Sequence, residues 1–303
     1  MQVKKPFRII KRIFGNLYFL TFLNGFLIAS LFYMKTESNY ENELFQAIHH
    51  SINKQIDAND NEDSVIVKVM HTAHNLLSSR SSIFEDDESL DGFKVDYMHP
   101  ATIDLMTARG ACGSYSMVLA RLLQTYHYAV RIGQMKAGGS FAAHNIIETE
   151  INNRWIVLDP TFNLYFVTPD NKLATFKDIK NNWSFYSKQV PSNYDMNYKY
   201  EDVRYMNWEK VPVLFPVAKK IFSAIFGKET IDNFCLRVHF LKMYDFYFYC
   251  TLFIYLPIIL YTLKRIIKTK LFPTHDTPVT IRNIAKYARV RASGDGFNRS
   301  INS

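Results

Sequence analysis

Cysteine is scarce in this chain: three in 303 residues, at Cys112, Cys235 and Cys250. That excludes a disulfide framework. Cys250 falls in a long apolar run and Cys235 just before it, which leaves Cys112 as the one cysteine deep in the remaining body. A lone thiol in an oxidising compartment is a liability unless it is buried or used. Metal-ligand clusters are lacking too. His71-x-x-His74 and His49-His50 each offer two ligands with no neighbouring carboxylate or cysteine to complete a site. The acidic stretch 85–92 lacks the alternating ligands and closing glutamate of a calcium loop and reads as solvated. No metal, no cofactor and no internal repeat is expected.

Positive charge is also missing from most of the chain, despite a net charge of +8. Residues 1–34 carry five basic and no acidic residues, and residues 241–303 carry ten basic and three acidic. The body between them, 35–240, has 21 basic and 25 acidic residues, a net −4. A basic groove for nucleic acid on the main domain is therefore excluded as a reading.

Two runs lack charge altogether. Residues 13–34 (IFGNLYFLTFLNGFLIASLFYM) span roughly 33 Å as a helix, enough for a hydrocarbon core about 30 Å thick. Residues 246–263 (FYFYCTLFIYLPIILYTL) form a shorter second run, with Tyr244, Tyr247, Tyr249 and Tyr261 near its ends and Pro257 as a tolerated kink. Lys4, Lys5, Arg8, Lys11 and Arg12 precede the first run; Lys264, Arg265, Lys268 and Lys270 follow the second. Positive flanks stay cytoplasmic, so the expectation is a two-pass membrane protein with both termini inside and residues 35–243 outside. A cleaved signal peptide is the alternative for the first run. Against it, the run is longer than a usual signal core, and Ile28-Ala29-Ser30 is a poor cleavage site. The expected organisation is a basic N-terminus (1–12), a span (13–34), an extracytoplasmic domain (35–243, core 60–200), a span (246–263) and a basic tail (264–303).

Within the body, residues 39–56 read as a short amphipathic helix, 57–63 as a polar break and 64–77 as a second helix. A small-residue turn, Gly110-Ala111-Cys112-Gly113, precedes a helix over 114–126. Strand-like runs follow at 129–135, 145–151 and 154–158, with Asn152-Asn153 as a hairpin turn. A helix followed by an antiparallel sheet predicts an α+β fold. Residues 163–208 show no clear period, and 213–226 is an apolar segment with a basic face, suited either to a membrane surface or to packing on the domain.

Three features carry chemistry. Cys112 stands at a helix start, where unpaired N–H groups and the helix dipole stabilise a thiolate. The flanking Gly110 and Gly113 allow close approach of a substrate carbonyl, and the same amides can hold an oxyanion. His144 starts a strand and Asp159 ends the next, so a hairpin brings base and orienting carboxylate together.

The stretch 105–166 resembles the transglutaminase-like core, a branch of the papain-like cysteine fold. The matching pieces are Arg109-Gly110-x-Cys112 with its helix, Val130-Arg131, His144 with Glu148, and Trp155 before Leu158-Asp159-Pro160-Thr161. The resemblance implies Cys112 as nucleophile, His144 as base, Asp159 as its orienter, and Gly110, Gly113 and Trp155 on the oxyanion or substrate side. The implied chemistry is acyl transfer from an amide or peptide carbonyl through a thioester, to an amine or to water. The implied partners are a protein or peptide substrate and membrane lipids. Two departures touch substrate contacts: Ile146 stands where many members have tryptophan, and the usual glycine is missing from 126–129. No second oxyanion donor can be picked from sequence. The rival expectation is a non-catalytic binding or scaffold module. The short basic N-terminus and absent disulfides point to a bacterial envelope, the inner membrane facing the periplasm.

Overall fold

Lys35-Thr36-Glu37-Ser38 contains no glycine or proline to break a helix. The first apolar run and the amphipathic helix expected after it therefore join into one 37-residue helix, α1 (Leu17–Asn53). The computed structural model describes residues 14–84, 92 and 94–271. The basic N-terminus 1–12, the acidic loop 85–91 and the tail from 272 lie outside the described residues.

The chain divides into two units. The first is residues 1–28 with 253–303, where the start of α1 meets the end of α9 (Met243–Leu271). Asn24 Nδ2 donates to Thr262 Oγ1 at 2.9 Å, and Arg265 donates to the Gly15 carbonyl at 2.6 Å. Such polar contacts between apolar helices are how membrane helices are commonly joined. Both α1 and α9 are long and apolar enough to cross a membrane.

The second unit, 29–252, is α+β. The remaining helices are α2 (Glu62–Phe84), α3 (Ala101–Thr107), α4 (Cys112–Thr125), α5 (Phe176–Asn181), α6 (Trp183–Tyr186), α7 (Leu214–Phe226) and α8 (Lys228–Asp232), with a 3-10 turn at Leu236–Phe240. The strands are β1 (Val130–Ala137), β2 (Ser140–Ile151), β3 (Arg154–Asp159), β4 (Leu164–Tyr165) and β5 (Val203–Arg204). They pair antiparallel in the order β4-β3-β2-β1-β5. Asn152 and Asn153 both take positive φ (49° and 61°), the conformation a two-residue hairpin turn needs, and the β2–β3 turn falls where the sequence put it.

One strand expectation is corrected. His144 does not begin a strand: β2 starts four residues earlier, because Gly138 and Gly139 (φ 57° and 85°) close a second hairpin that the small-residue composition of 136–143 concealed. The strands β4 and β5, two residues each, carry too few residues to show a period.

Alternate residues divide the sheet into two faces, each with its own core. One face (Ile132, Ile147, Ile156, Leu158) packs on Leu119, Leu122 and Leu123 of α4, on Ile66, Met70 and Leu77 of α2, and on Phe45 and Ile52 of α1. The other face carries Met135, Ile146 and Val157 beneath an aromatic cluster of Phe166, Phe176, Tyr186, Tyr194 and Tyr200. That cluster is what the aperiodic stretch becomes: side chains that pack by ring contact from turns and short helices leave no regular spacing. α7 has no buried residue and leaves Leu214, Val217, Ile221, Ile225 and Phe226 exposed, so it is not a core helix of the domain.

Candidate active site

Two alanines shape the loop before α4. Ala108 (φ 51°) closes α3 in a left-handed conformation, and Ala111 (φ 45°, ψ −127°) precedes the thiol in a conformation that side chains rarely adopt. Local strain of this kind gathers at functional turns and here presents Cys112 as the first residue of α4. The turn is held from behind. The Gly110 N–H donates to Ser114 Oγ at 2.8 Å, and Ser114 Oγ donates to the buried Asp104 carboxylate at 2.5 Å. A Cβ on Gly110 would come within 2.6 Å of that hydroxyl, so only glycine fits.

His99 completes this support, with Nε2 donating to Asp104 Oδ1 at 3.2 Å. The hydrogen bond to Asp104 outweighs burial and pushes the His99 pKa up to about 9. A raised pKa means the protonated ring stabilises the fold fully below about pH 6.5, and that this is lost as pH rises through about 9. The ring is half-exposed and screened by solvent, which limits the effect to about 1 kcal/mol. Wild type should be more stable than His99→Gln to chemical denaturation at pH 6, and the two should converge at pH 9.5. A gap that does not change with pH would remove this role.

The Asp159 carboxylate is fully buried and His144 is 2% exposed. With Ile147 opposite Leu158, Asp159 comes opposite Ile146, and Ile146 and His144 project to the same face of β2. His144 Nε2 donates to Asp159 Oδ2 at 2.7 Å, and Asp159 Oδ1 accepts the Thr161 N–H at 3.2 Å. Tyr198 stacks on the imidazole, with centroids 4.7 Å apart and planes 10° apart, and Phe162 closes another side at 5.5 Å. The ring is thus fixed in position and tautomer, leaving Nδ1 as the nitrogen not bonded to Asp159.

Charge on the thiol and charge on the ring support each other. Burial disfavours a thiolate at Cys112, but hydrogen bonding and charge from His144, helped by Asn145, outweigh it and lower the thiol pKa. Burial likewise disfavours a charged His144, yet the Asp159 charge and hydrogen bond, with a contribution from Cys112, push its pKa up to about 9. Both directions favour the charged forms, a thiolate beside an imidazolium.

Asn145, Arg237 and Tyr198 were not found from sequence. Asn145 follows His144 on β2; its Nδ2 donates to Cys112 Sγ at 3.4 Å, while its Oδ1 accepts from Arg237 Nη1 at 3.0 Å. The amide is thereby turned with its N–H groups towards the thiol. An asparagine inside a strand-like run carries no signal of this, and Arg237 lies 92 residues further along the chain. Tyr198 was hidden in the aperiodic segment.

Of the six residues singled out from sequence, three meet: Cys112, His144 and Asp159. The two glycines sit in the turn, but neither amide is free. The Gly110 N–H is held by Ser114, and the Gly113 N–H bonds the Gly110 carbonyl at 2.9 Å. The Cys112 N–H, at the first position of α4, is one of the turn amides that can meet an oxyanion. Trp155 stands apart, four residues from Asp159 along β3, roughly 13 Å at about 3.3 Å per residue. Its ring lies 4.2 Å from the Arg131 guanidinium. Among the described residues no cluster suited to a metal ion occurs. Compared with known proteins, the chain matches no family model, no curated protein and no solved structure.

Proposed function

We propose that this chain is a membrane-anchored cysteine enzyme of transglutaminase-like type that transfers acyl groups from amide or peptide carbonyls. One observation carries the reading: a buried imidazole, bonded to a buried carboxylate at 2.7 Å, stands in hydrogen-bond contact with a thiol at the first position of a helix. A binding module has no need of a proton relay in that arrangement, which weighs against the scaffold alternative.

The Cys112 thiolate attacks the carbonyl carbon and forms the S–C bond. The oxygen takes up negative charge, which the Cys112 N–H and the Asn145 amide can stabilise. Collapse of this intermediate breaks the C–N bond, and the His144 imidazolium gives its proton to the departing amine. Water or a second amine then attacks the thioester. His144 accepts the proton of that nucleophile and sulfur leaves as thiolate. Asp159 stabilises the imidazolium throughout and holds its tautomer.

Purified full-length chain mixed with p-nitrophenyl acetate should release a burst of about one p-nitrophenolate per chain and carry an acetyl group on Cys112 by mass spectrometry. Hydroxylamine should discharge that thioester. Cys112→Ala should abolish the burst; a burst that persists in the variant, or an unacylated Cys112, rejects the proposal.

The two apolar helices and the basic residues beyond them support a two-pass placement, with both termini in the cytoplasm, membrane lipids around the spans and the catalytic domain outside. A reporter active only in the cytoplasm, inserted near Asn182, should be silent, and strong activity there would reverse the orientation.

A further inference from the structure

A cavity of about 400 Å³ lies beside Arg237, lined also by Gln134, Arg204, Lys210, Phe215 and Phe240. Three of these six side chains are cationic, and none of the residues lining the cavity is acidic. Among the described residues, no carboxylate lies within ion-pair distance of Arg204, Lys210 or Arg237. Arg204 and Arg237 instead spend hydrogen bonds on neutral amides, with Gln134 Oε1 at 3.0 Å and Asn145 Oδ1 at 3.0 Å.

Partly buried guanidinium groups such as Arg204 and Arg237, with no carboxylate beside them, are costly, and an anion relieves the cost. Burial pulls the Arg237 guanidinium below its ordinary pKa; the charges of Cys235 and Cys112 oppose the pull, and the like charge of Arg204 adds a smaller one to it. The cavity is also joined to the thiol: Arg237 bonds Asn145, and Asn145 bonds Cys112 Sγ. Phe215 and Phe240 supply apolar wall for a short carbon chain.

We propose that this cavity is a subsite for a carboxylate carried by the acyl donor, placed a few atoms from the carbonyl that Cys112 attacks. The inference rests on the cysteine-enzyme reading and deepens it, since it names the substrate class as acidic acyl donors. Guanidinium groups present paired donors that match a carboxylate, and Lys210 adds a point charge.

Two alkylating probes that differ by one group test it: iodoacetyl-Glu-NH2 and iodoacetyl-Gln-NH2. With either, sulfur displaces iodide to form a thioether, and peptide mapping reads the adduct on Cys112 alone. A charge-assisted contact corresponds to a preference of about tenfold for the glutamate probe. In the Arg204→Gln/Lys210→Gln double variant that preference should fall to about twofold or less. Saturable slowing of the glutamine probe by free glutarate, and not by glutaramide, supports the same subsite in unmodified protein. Equal rates with the two probes in wild type, or an undiminished preference in the double variant, would overturn the proposal while leaving the thiol chemistry intact. If neither probe labels Cys112 faster than a free cysteine peptide, the enzyme reading fails and the subsite with it.

Discussion

At pH 6, iodoacetamide should alkylate Cys112 faster than the thiol of an unstructured peptide, and His144→Ala should remove most of that advantage. An ordinary thiol, with a pKa near 8.5, is only roughly 0.3% ionised at pH 6. Each unit by which a thiol pKa falls multiplies the thiolate fraction by about ten and lowers intrinsic nucleophilicity about threefold, so the net gain is about threefold per unit. The direction at Cys112 is downward, and its chief favourable cause is the His144 ring. Without that ring, burial opposes the thiolate and only the Asn145 hydrogen bonds still favour it, so the variant should react more slowly than wild type. Asp159→Asn should fall between them, because the ring stays in place but loses the charge that raises its pKa. Peptide mapping keeps the measurement on Cys112, since Cys235 is buried and Cys250 is exposed on α9. Equal rates in wild type and His144→Ala would show that the two side chains do not exchange a proton.

Arg131→Met should lower stability by about 3–5 kcal/mol, the cost expected when one partner of a buried ion pair is removed. Arg131 Nε donates to Glu148 Oε2 at 2.7 Å, and its guanidinium lies 4.2 Å from the ring centroids of both Trp155 and Tyr205. The Tyr205 hydroxyl donates to the same carboxylate. Glu148 is 1% exposed, so without Arg131 its charge is stranded among apolar neighbours. The double variant Arg131→Met/Glu148→Gln should recover much of the loss, because no unpaired charge remains. Urea denaturation of the detergent-solubilised chain measures both. A loss below about 1 kcal/mol for the single variant would mean that the pair behaves as a solvated surface contact.

This cation-centred stack changes the meaning of residues that carried the family resemblance. Arg131, Glu148 and Trp155 are among the pieces that carry the resemblance. They lie together on the face of the sheet that holds His144 and Asp159, but they meet one another and not the thiol. Their spacing along three strands is what a buried cation needs to be bonded at one edge and covered on both faces.

The membrane-length helices, the α+β order and the Asn152-Asn153 turn were legible because each is written in neighbouring residues: uncharged length, a change of period, two residues that accept positive φ. Cys112, His144 and Asp159 could be picked out for a similar reason, since a helix start and two paired strand segments bring them together through local geometry. The Asn145–Arg237 bond, the Tyr198 cover over the imidazole and the unpaired cations of the cavity have no such local mark. They join segments from 134 to 240 that meet only when the 3-10 turn and the aromatic cluster close on the sheet. Local backbone preference acts over a few residues and can be read from them directly. Which side chains share a buried space depends on how the whole domain excludes water, and that only the tertiary structure decides.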